Sequence, residues 1–464
     1  MTEESGLKPL ATDSGSVPAR DANRAATRAA PTNNGDQTVA EGFSPQFPAH
    51  GVSWNPADFE DIVGTDFVRE PVPSDAVDGV MPRLVVTPGS AEDVAEVLRI
   101  VSRLDLTVVP RGSGSKMGWG APPRRLDLVL ETGRLNRLIE HSAGDLVAIA
   151  GAGMPVGAFA QAVAGSGQML AVDSPWPDAT LGGMVASNFS GPRRHRYGAI
   201  RDSLIGITVA LADGTVAKAG GKVVKNVAGY DLGKLFTGSF GTLGVIVEVI
   251  VRLHALPAVR QGVVLEVKDA AAAGEAVKTV VDSPLVPTAV EIEWKEGSGR
   301  LVVLFEGFGP AVEDGLRRAV GLLEPFGVID GMEAFSPLTV PWKCGEVYLK
   351  VATVPAALPD TLRAIDTLAW TKGIETSITG QAAATVLWVS LRNNGDTIAE
   401  TVEALRSIVA RSGGSVVIAA APDELKPRLD IWGPTTDAFP LMRRVKEQFD
   451  PRGIMSPGRF VGGL

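Results

Sequence analysis

Cysteine is almost absent from this 464-residue chain: Cys344 stands alone. A single thiol excludes an intramolecular disulfide and any iron–sulfur cluster held by cysteines of this chain alone. Packed inside, it would act as a small hydrophobe. Histidine is scarce as well, limited to His50, His141, His195 and His254, so no His-rich metal site is expected. No apolar run reaches the roughly 18 residues that a membrane span needs. The opening Met1-Thr2-Glu3-Glu4 lacks the apolar stretch of a secretory signal. These absences imply a cytoplasmic protein, peripheral at the inner face of the cell membrane only through partners. A net charge of -9 argues against a nucleic-acid binder and against charge-driven attachment to anionic lipid.

What is present is the composition of an enzyme with many tight turns. The length exceeds what one hydrophobic core supports, which implies two or three domains. Residues 1–45 are rich in Ala, Thr, Asp, Asn, Gly and Pro without periodicity. They cannot bury enough apolar surface to offset their ordering entropy and are expected to be a disordered tail. Recognisable structure begins near Arg83, with a strand at 83–87. Ser90 and Asp93 then form a helix-capping pair ahead of Val94, Val97, Leu98, Val101 and Leu104 on one helical face. A strand at 107–109 runs into a glycine loop. Further strands are expected at 127–130, 146–150, 207–212, 215–218 and 245–253, with a helix over 155–164. Asp213-Gly214 suits a hairpin turn.

The texture changes after Pro257. Residues 258–426 read as two similar passes, each like a split βαβ unit. The first has strands at 262–267, 288–294 and 300–306 with helices at 269–282 and 311–324. The second has strands at 347–352, 385–391 and 415–420 with helices at 356–369 and 398–411. One antiparallel sheet with helices on one face is expected. Residues 427–464 read as a segment with one helix near 438–449 that packs back on the first domain, 46–257.

Three small-residue clusters carry the chemistry. Arg111-Gly112-Ser113-Gly114-Ser115-Lys116 offers successive backbone N–H groups with glycines that admit a phosphate. It is neither a Rossmann fingerprint, because Met117 replaces the third glycine, nor a P-loop; read alone, it either binds phosphate or only turns the chain. The second cluster runs from Thr180-Leu181-Gly182-Gly183 to Ser190-Gly191-Pro192-Arg193-Arg194-His195-Arg196-Tyr197. The third runs from Gly221 through Lys225-Asn226-Val227-Ala228-Gly229-Tyr230-Asp231-Leu232 to Gly241-Thr242-Leu243-Gly244-Val245-Ile246.

In this order the clusters resemble the FAD-binding domain of the vanillyl-alcohol-oxidase, or PCMH, type, over roughly residues 83–257 and again at Asp450-Pro451-Arg452-Gly453-Ile454-Met455-Ser456-Pro457-Gly458-Arg459-Phe460. Within that superfamily, Lys225 to Leu232 and Pro457-Gly458-Arg459 are most similar to the FAD-binding GlcE subunits of bacterial glycolate oxidase. The resemblance implies an α+β chain: a two-subdomain PCMH-type FAD-binding domain plus an antiparallel-sheet α/β cap domain. It places Arg111, Gly112, Ser113, Gly114 and Ser115 at the pyrophosphate. Asp173, Ser174, Thr180, Gly182 and Gly183 would line the centre of the cofactor, and Ser187, Ser190 and Gly191 would continue toward the flavin. Val245 and Ile246 would meet the adenine end. Arg459 would cover the isoalloxazine ring, where a cation favours the anionic reduced flavin; its alternative is a solvated arginine.

Relatives with covalently attached FAD carry a histidine just after the loop. Here the residues are Ser115-Lys116-Met117-Gly118, so FAD is expected to be non-covalent. Catalytic subunits of related 2-hydroxy-acid dehydrogenases carry a His-rich metal motif in their C-terminal half, whereas no histidine follows His254. For substrate, His195 among Arg193, Arg194 and Arg196 is the candidate base and carboxylate clamp, or else a basic loop in solvent or against a partner. Lys225 and Tyr230 are active-site or packing residues, and Trp176, Trp342 and Trp432 wall a pocket or fill the core. Three functions follow: an FAD-carrying subunit of a glycolate-type dehydrogenase, passing electrons to an iron–sulfur subunit and working with a second flavoprotein subunit; a stand-alone flavin oxidase; or a non-catalytic FAD scaffold.

Overall fold

The computed structural model describes residues 54–222, 231–333, 346–392 and 396–464. The tail at 1–45, Lys225, Tyr230, Trp342 and Cys344 lie outside the described residues.

The first sheet has four strands, adjacent in the order Val68–Arg69, Leu84–Val86, Leu128–Glu131 and Val108–Arg111. The last three are parallel, and the first is antiparallel to its neighbour. Parallel neighbours need a crossover, and the helix Ala91–Arg103 supplies one. Ser90 Oγ accepts the Asp93 N–H at 3.0 Å, and the Asp93 carboxylate accepts the Gly89 N–H at 2.9 Å. The helix then buries Val94, Val97, Leu98 and Val101. Each such aliphatic side chain contributes about 1.5–3 kcal/mol. The second sheet is antiparallel, in the order Leu138–Ser142, Val147–Gly151, Val245–Arg252, Leu204–Ala210 and Val216–Gly220. Its Ala210, Val245 and Val247 share one core with the first sheet.

The cap sheet has eight antiparallel strands, ordered Gly327–Glu333, Val259–Val267, Ser298–Gly307, Ala289–Lys295, Glu375–Gln381, Val386–Arg392, Val347–Ala352 and Ser415–Ala420. Alternation along the strands sorts residues by face. Val290, Ile292, Leu349, Val351, Leu387 and Val389 join the core beneath the cap helices. Glu291, Gln381, Lys350 and Trp388 take the opposite face, and Gln381 Nε2 donates to Ser190 O at 3.1 Å across to the first half.

The C-terminal segment does return. Val108 N–H donates to Ile454 O at 2.9 Å and Ser456 N–H to Val108 O at 2.8 Å, so Met455 lies beside Val108 as an added parallel bridge at the edge of the first sheet. The segment is anchored from the helix Phe439–Phe449. Lys446 Nζ, fully buried, donates to Asp450 at 2.5 Å, Thr242 O at 2.7 Å and Met455 O at 2.9 Å.

Several elements are absent from the sequence reading, among them the strands Val68–Arg69 and Leu138–Ser142 of the first half. A helix at Ala57–Val63 precedes Arg83 and buries Phe59 completely, so folded structure starts earlier than expected. Each cap pass also contains a further strand, Gly327–Glu333 in the first and Glu375–Gln381 in the second.

Candidate functional site

Where the strand Val108–Arg111 ends, the chain passes through Gly112 and turns at Gly114, whose φ of 82° lies in the left-handed region that only glycine adopts freely. Gly112 faces Thr180 so closely that a Cβ there would collide with Oγ1. Thr180 caps the helix Leu181–Ser187, accepting the Gly183 N–H at 3.2 Å. The two clusters meet because Gly112 has no side chain to displace Thr180.

Between them runs a cleft that is partly open to solvent. Of the expected cofactor residues, Arg111 through Ser115, Thr180, Gly182, Gly183, Ser187, Val245, Ile246 and Arg459 line it. The guanidinium of Arg111 is already held by Asp75 and Glu131 at 2.5 Å each. Asp75, bonded first to Arg69 and also to Arg111, stays well below the usual carboxylate range. Arg111 therefore anchors the start of the loop.

Arg459 is the strongest polar feature of the cleft wall. It is 4% exposed, and its Nη2 donates to Met117 O at 2.5 Å and Trp119 O at 2.6 Å. Its Nε has no hydrogen-bond partner among the described residues. Behind it, Asp78 pairs with Lys426, which also donates to Gly118 O at 2.6 Å. Burial pushes the Asp78 carboxyl up and the Lys426 amine down, and their mutual attraction offsets part of both shifts. An orphaned guanidinium N–H beside glycine-edged backbone fits a ligand with an anionic middle and planar groups at its ends, as FAD has.

Asp173, Ser174, Ser190, Gly191 and His195 are not among the residues lining the cleft. They lie on the segment that meets the cap. Asp173 accepts the Arg193 N–H at 2.8 Å and its Nη1 at 2.5 Å. Glu306 of the cap takes Arg193 Nε at 3.0 Å and Nη2 at 2.7 Å, and Arg260 at 2.5 Å. Burial pushes Glu306 up, but the two arginines outweigh it and hold the carboxylate below its ordinary value. Arg193 is thus an interdomain tie, with its guanidinium occupied. Arg196 donates to Glu306 O at 3.0 Å. Arg194 Nη1 donates to Ser190 Oγ at 3.1 Å. His195 sits in the short helix Arg194–Tyr197, which packs on the strand Ala289–Lys295. Burial pushes its pKa down, so its imidazole is neutral at pH 7.

Sequence reading assigned no role to Lys116, Met117 or Phe240, which also line the cleft. The Lys116 amine lies 4.7 Å from the Trp176 ring and 5.6 Å from Phe189, and burial pushes its pKa down to about 8. Its place directly after the glycine loop was the available signal. Trp176 belongs to a packed cluster with Trp119, Phe189 and Trp388, whereas Trp432 meets Phe240 and Phe460 edge to face.

This fold and cleft define a flavoprotein of the PCMH type. Residues 82–220 match the model of an FAD binding domain, and residues 348–460 that of the C-terminal domain of FAD-linked oxidases. The chain is similar to glycolate oxidase subunit GlcD of Bacillus subtilis, 28% identical over 82% of this chain and 89% of that one. It is 29% identical to a D-lactate dehydrogenase of Archaeoglobus fulgidus, over 82% of this chain and 92% of that one. Substrate-bound p-cresol methylhydroxylase shares the fold, with a TM-score of 0.69 and 16% identity over 88% of this chain and 96% of that one. The chain is an FAD-linked oxidoreductase with a PCMH-type FAD-binding domain and an FAD-oxidase C-terminal domain, and FAD is its cofactor. Among the described residues, no helix is long and apolar enough to cross a membrane.

Proposed function

We propose that this chain is the FAD-carrying, GlcE-type subunit of a glycolate-type 2-hydroxy-acid dehydrogenase whose electrons leave through an iron–sulfur partner. The observation that carries the reading is the cleft itself: a glycine-edged cradle closed by Arg459, in a chain resembling glycolate and lactate enzymes over most of its length. When bound, FAD supplies the acceptor for two electrons and a carbon-bound hydrogen of an alcohol. The chain supplies the remainder. Gly112 and Gly183 admit the cofactor close to backbone, and Arg459 presents a fixed positive charge at the cleft wall. His195 is neutral at pH 7 and is the proposed acceptor of the substrate hydroxyl proton. Asp173 and Ser174 are proposed to line the centre of the cofactor, and Ser190 and Gly191 to continue toward the flavin. Lys225 and Tyr230 remain proposed substrate-side residues.

The subunit reading draws on inventory: one cysteine cannot hold a cluster, and no histidine follows His254. The test is anaerobic. FAD-loaded protein is mixed with a panel of short 2-hydroxy acids and flavin bleaching is followed, first alone and then with the proteins that co-purify from the native source. Slow bleaching alone and fast turnover with partners is the expected result. Rapid stoichiometric bleaching without a partner replaces this reading with a stand-alone oxidase.

A further inference from the structure

Among the described residues, the cations Arg111, Lys116 and Arg459 line the cleft and no acidic residue does. Two of these cations are already engaged. Arg111 is matched by Asp75 and Glu131. Arg459 is fixed by two backbone carbonyls, with the Asp78 carboxylate 4.0 Å away. Lys116 has neutral partners. Its amine donates to Ser115 Oγ at 3.4 Å and to Met184 Sδ at 3.8 Å, both long contacts. No carboxylate among the described residues offsets its burial, which pushes the pKa down to about 8. The buried amines of Lys426 and Lys446, by contrast, are paired with Asp78 and Asp450.

The position of the Lys116 amine is as informative as its isolation. From the end of the glycine loop the side chain reaches the helix Leu181–Ser187 at Met184. Its amine then lies 4.7 Å from the centre of the Trp176 ring and 5.6 Å from that of Phe189. Both rings belong to the cluster in which Trp388, from the cap strand Val386–Arg392, meets Trp119 at 5.5 Å and Phe189 at 5.8 Å. Lys116 therefore joins the cleft to the cap. Aromatic faces hold a cation without neutralising it, so the full charge remains available to a ligand. The loop keeps its own backbone N–H groups for phosphate, and the amine has been carried away from them.

We infer that the Lys116 ammonium stands against the flavin end of bound FAD and is a cation that favours its reduced, anionic form. Two electrons and one proton, taken from the donor, leave one negative charge on the ring. A positive charge already fixed in a wall of low dielectric stabilises that charge as it develops, and charge beside the ring is one of the means by which a protein sets a flavin's potential. The inference draws on FAD as the cofactor. It needs neither a hydroxy acid as the donor nor a partner subunit, so it stands or falls separately from the proposed function.

The test uses the full chain and no substrate. In the first measurement, wild type is stripped of flavin and treated with trinitrobenzenesulfonate alone, with saturating ADP or with FAD restored. Modification of Lys116 is read on its peptide by mass spectrometry. ADP carries the adenine and the pyrophosphate but no flavin. FAD is expected to slow the labelling roughly tenfold, because the filled cleft excludes the reagent, and ADP to leave it near the flavin-free rate. The second measurement is the midpoint potential of bound flavin, by equilibration with a reference dye. Lys116→Met is expected to lower it by about 30 mV, a tenfold change in a two-electron equilibrium, and Lys116→Arg to stay near wild type. A lysine that only packs on Trp176 would change the melting temperature when replaced and leave the potential where it was. Equal labelling with and without FAD, protection by ADP as strong as by FAD, or a wild-type potential in Lys116→Met would each overturn the assignment. The labelling needs wild type alone, so it decides the matter even where a variant fails to fold.

Discussion

Glu291 is fully enclosed on the inner face of the cap sheet, and neither carboxyl oxygen has a hydrogen-bond partner among the described residues. Burial, and then the nearby Asp173, push its pKa well above the ordinary value. The unfolded chain ionises this group near pH 4.3, so its contribution to stability is present below that pH and is lost as the pH rises toward the folded value. Glu291→Gln removes the loss. The variant should melt at a higher temperature than wild type, and the gap should be wider at pH 8 than at pH 5. At Gly112 the outcome is different: Gly112→Val drives a branched side chain into Thr180, so the purified variant should be colourless apo-protein. Yellow Gly112→Val with full flavin content would remove the loop from the site. Gly112 was legible in the sequence because a glycine loop after a strand has a local cause. Glu291 was not, since its environment exists only once the cap sheet lies against the segment carrying Asp173.

Among the elements, the helix Phe439–Phe449 and the turn after it hold the closing segment to the first sheet through one buried pair. Asp450 accepts Lys446 Nζ and also the N–H groups of Ile454 and Met455, at 3.0 and 2.8 Å. Asp450→Ala leaves the Lys446 ammonium buried without its counter-charge, a loss of about 3–5 kcal/mol. Because Arg459 follows directly, this variant should lose flavin and thermal stability together, measured as the absorbance ratio of flavin to protein across a melt. Chain patterning foretold this helix and most others, because their apolar residues recur at helical spacing. It missed the strand Glu375–Gln381, whose sequence Glu-Thr-Ser-Ile-Thr-Gly-Gln has one large apolar residue, Ile378. The strand is central and flanked on both sides, so ladder hydrogen bonds and neighbours hold it where composition does not. The helix Ala57–Val63 was missed because seven residues with two buried apolar positions give too little periodicity.

For the whole molecule, acid precipitation should release all the flavin as FAD, because Ser115 and Lys116 stand where covalent relatives carry histidine. Colour retained in the pellet would contradict this. Removing residues 1–40, which show no hydrophobic periodicity, should leave melting temperature and flavin content unchanged; a large drop on truncation would show that they dock. The two-sheet half and the cap were both visible as blocks of pattern, but the ion network of Asp173, Arg193, Glu306 and Arg260 that joins them was not, since it pairs residues with no local relation. The cleft is long-range in the same way. Met117 and the arginine that closes over it are 342 positions apart, so translation at about 5–20 residues per second separates their appearance by roughly 20–70 s. Throughout that interval the nascent polypeptide offers the cell's cofactor pool only an open half-site. Flavin loading is therefore a late event in the life of each molecule, after the cap has been synthesised, and a chain released early by a stalled ribosome leaves without its colour.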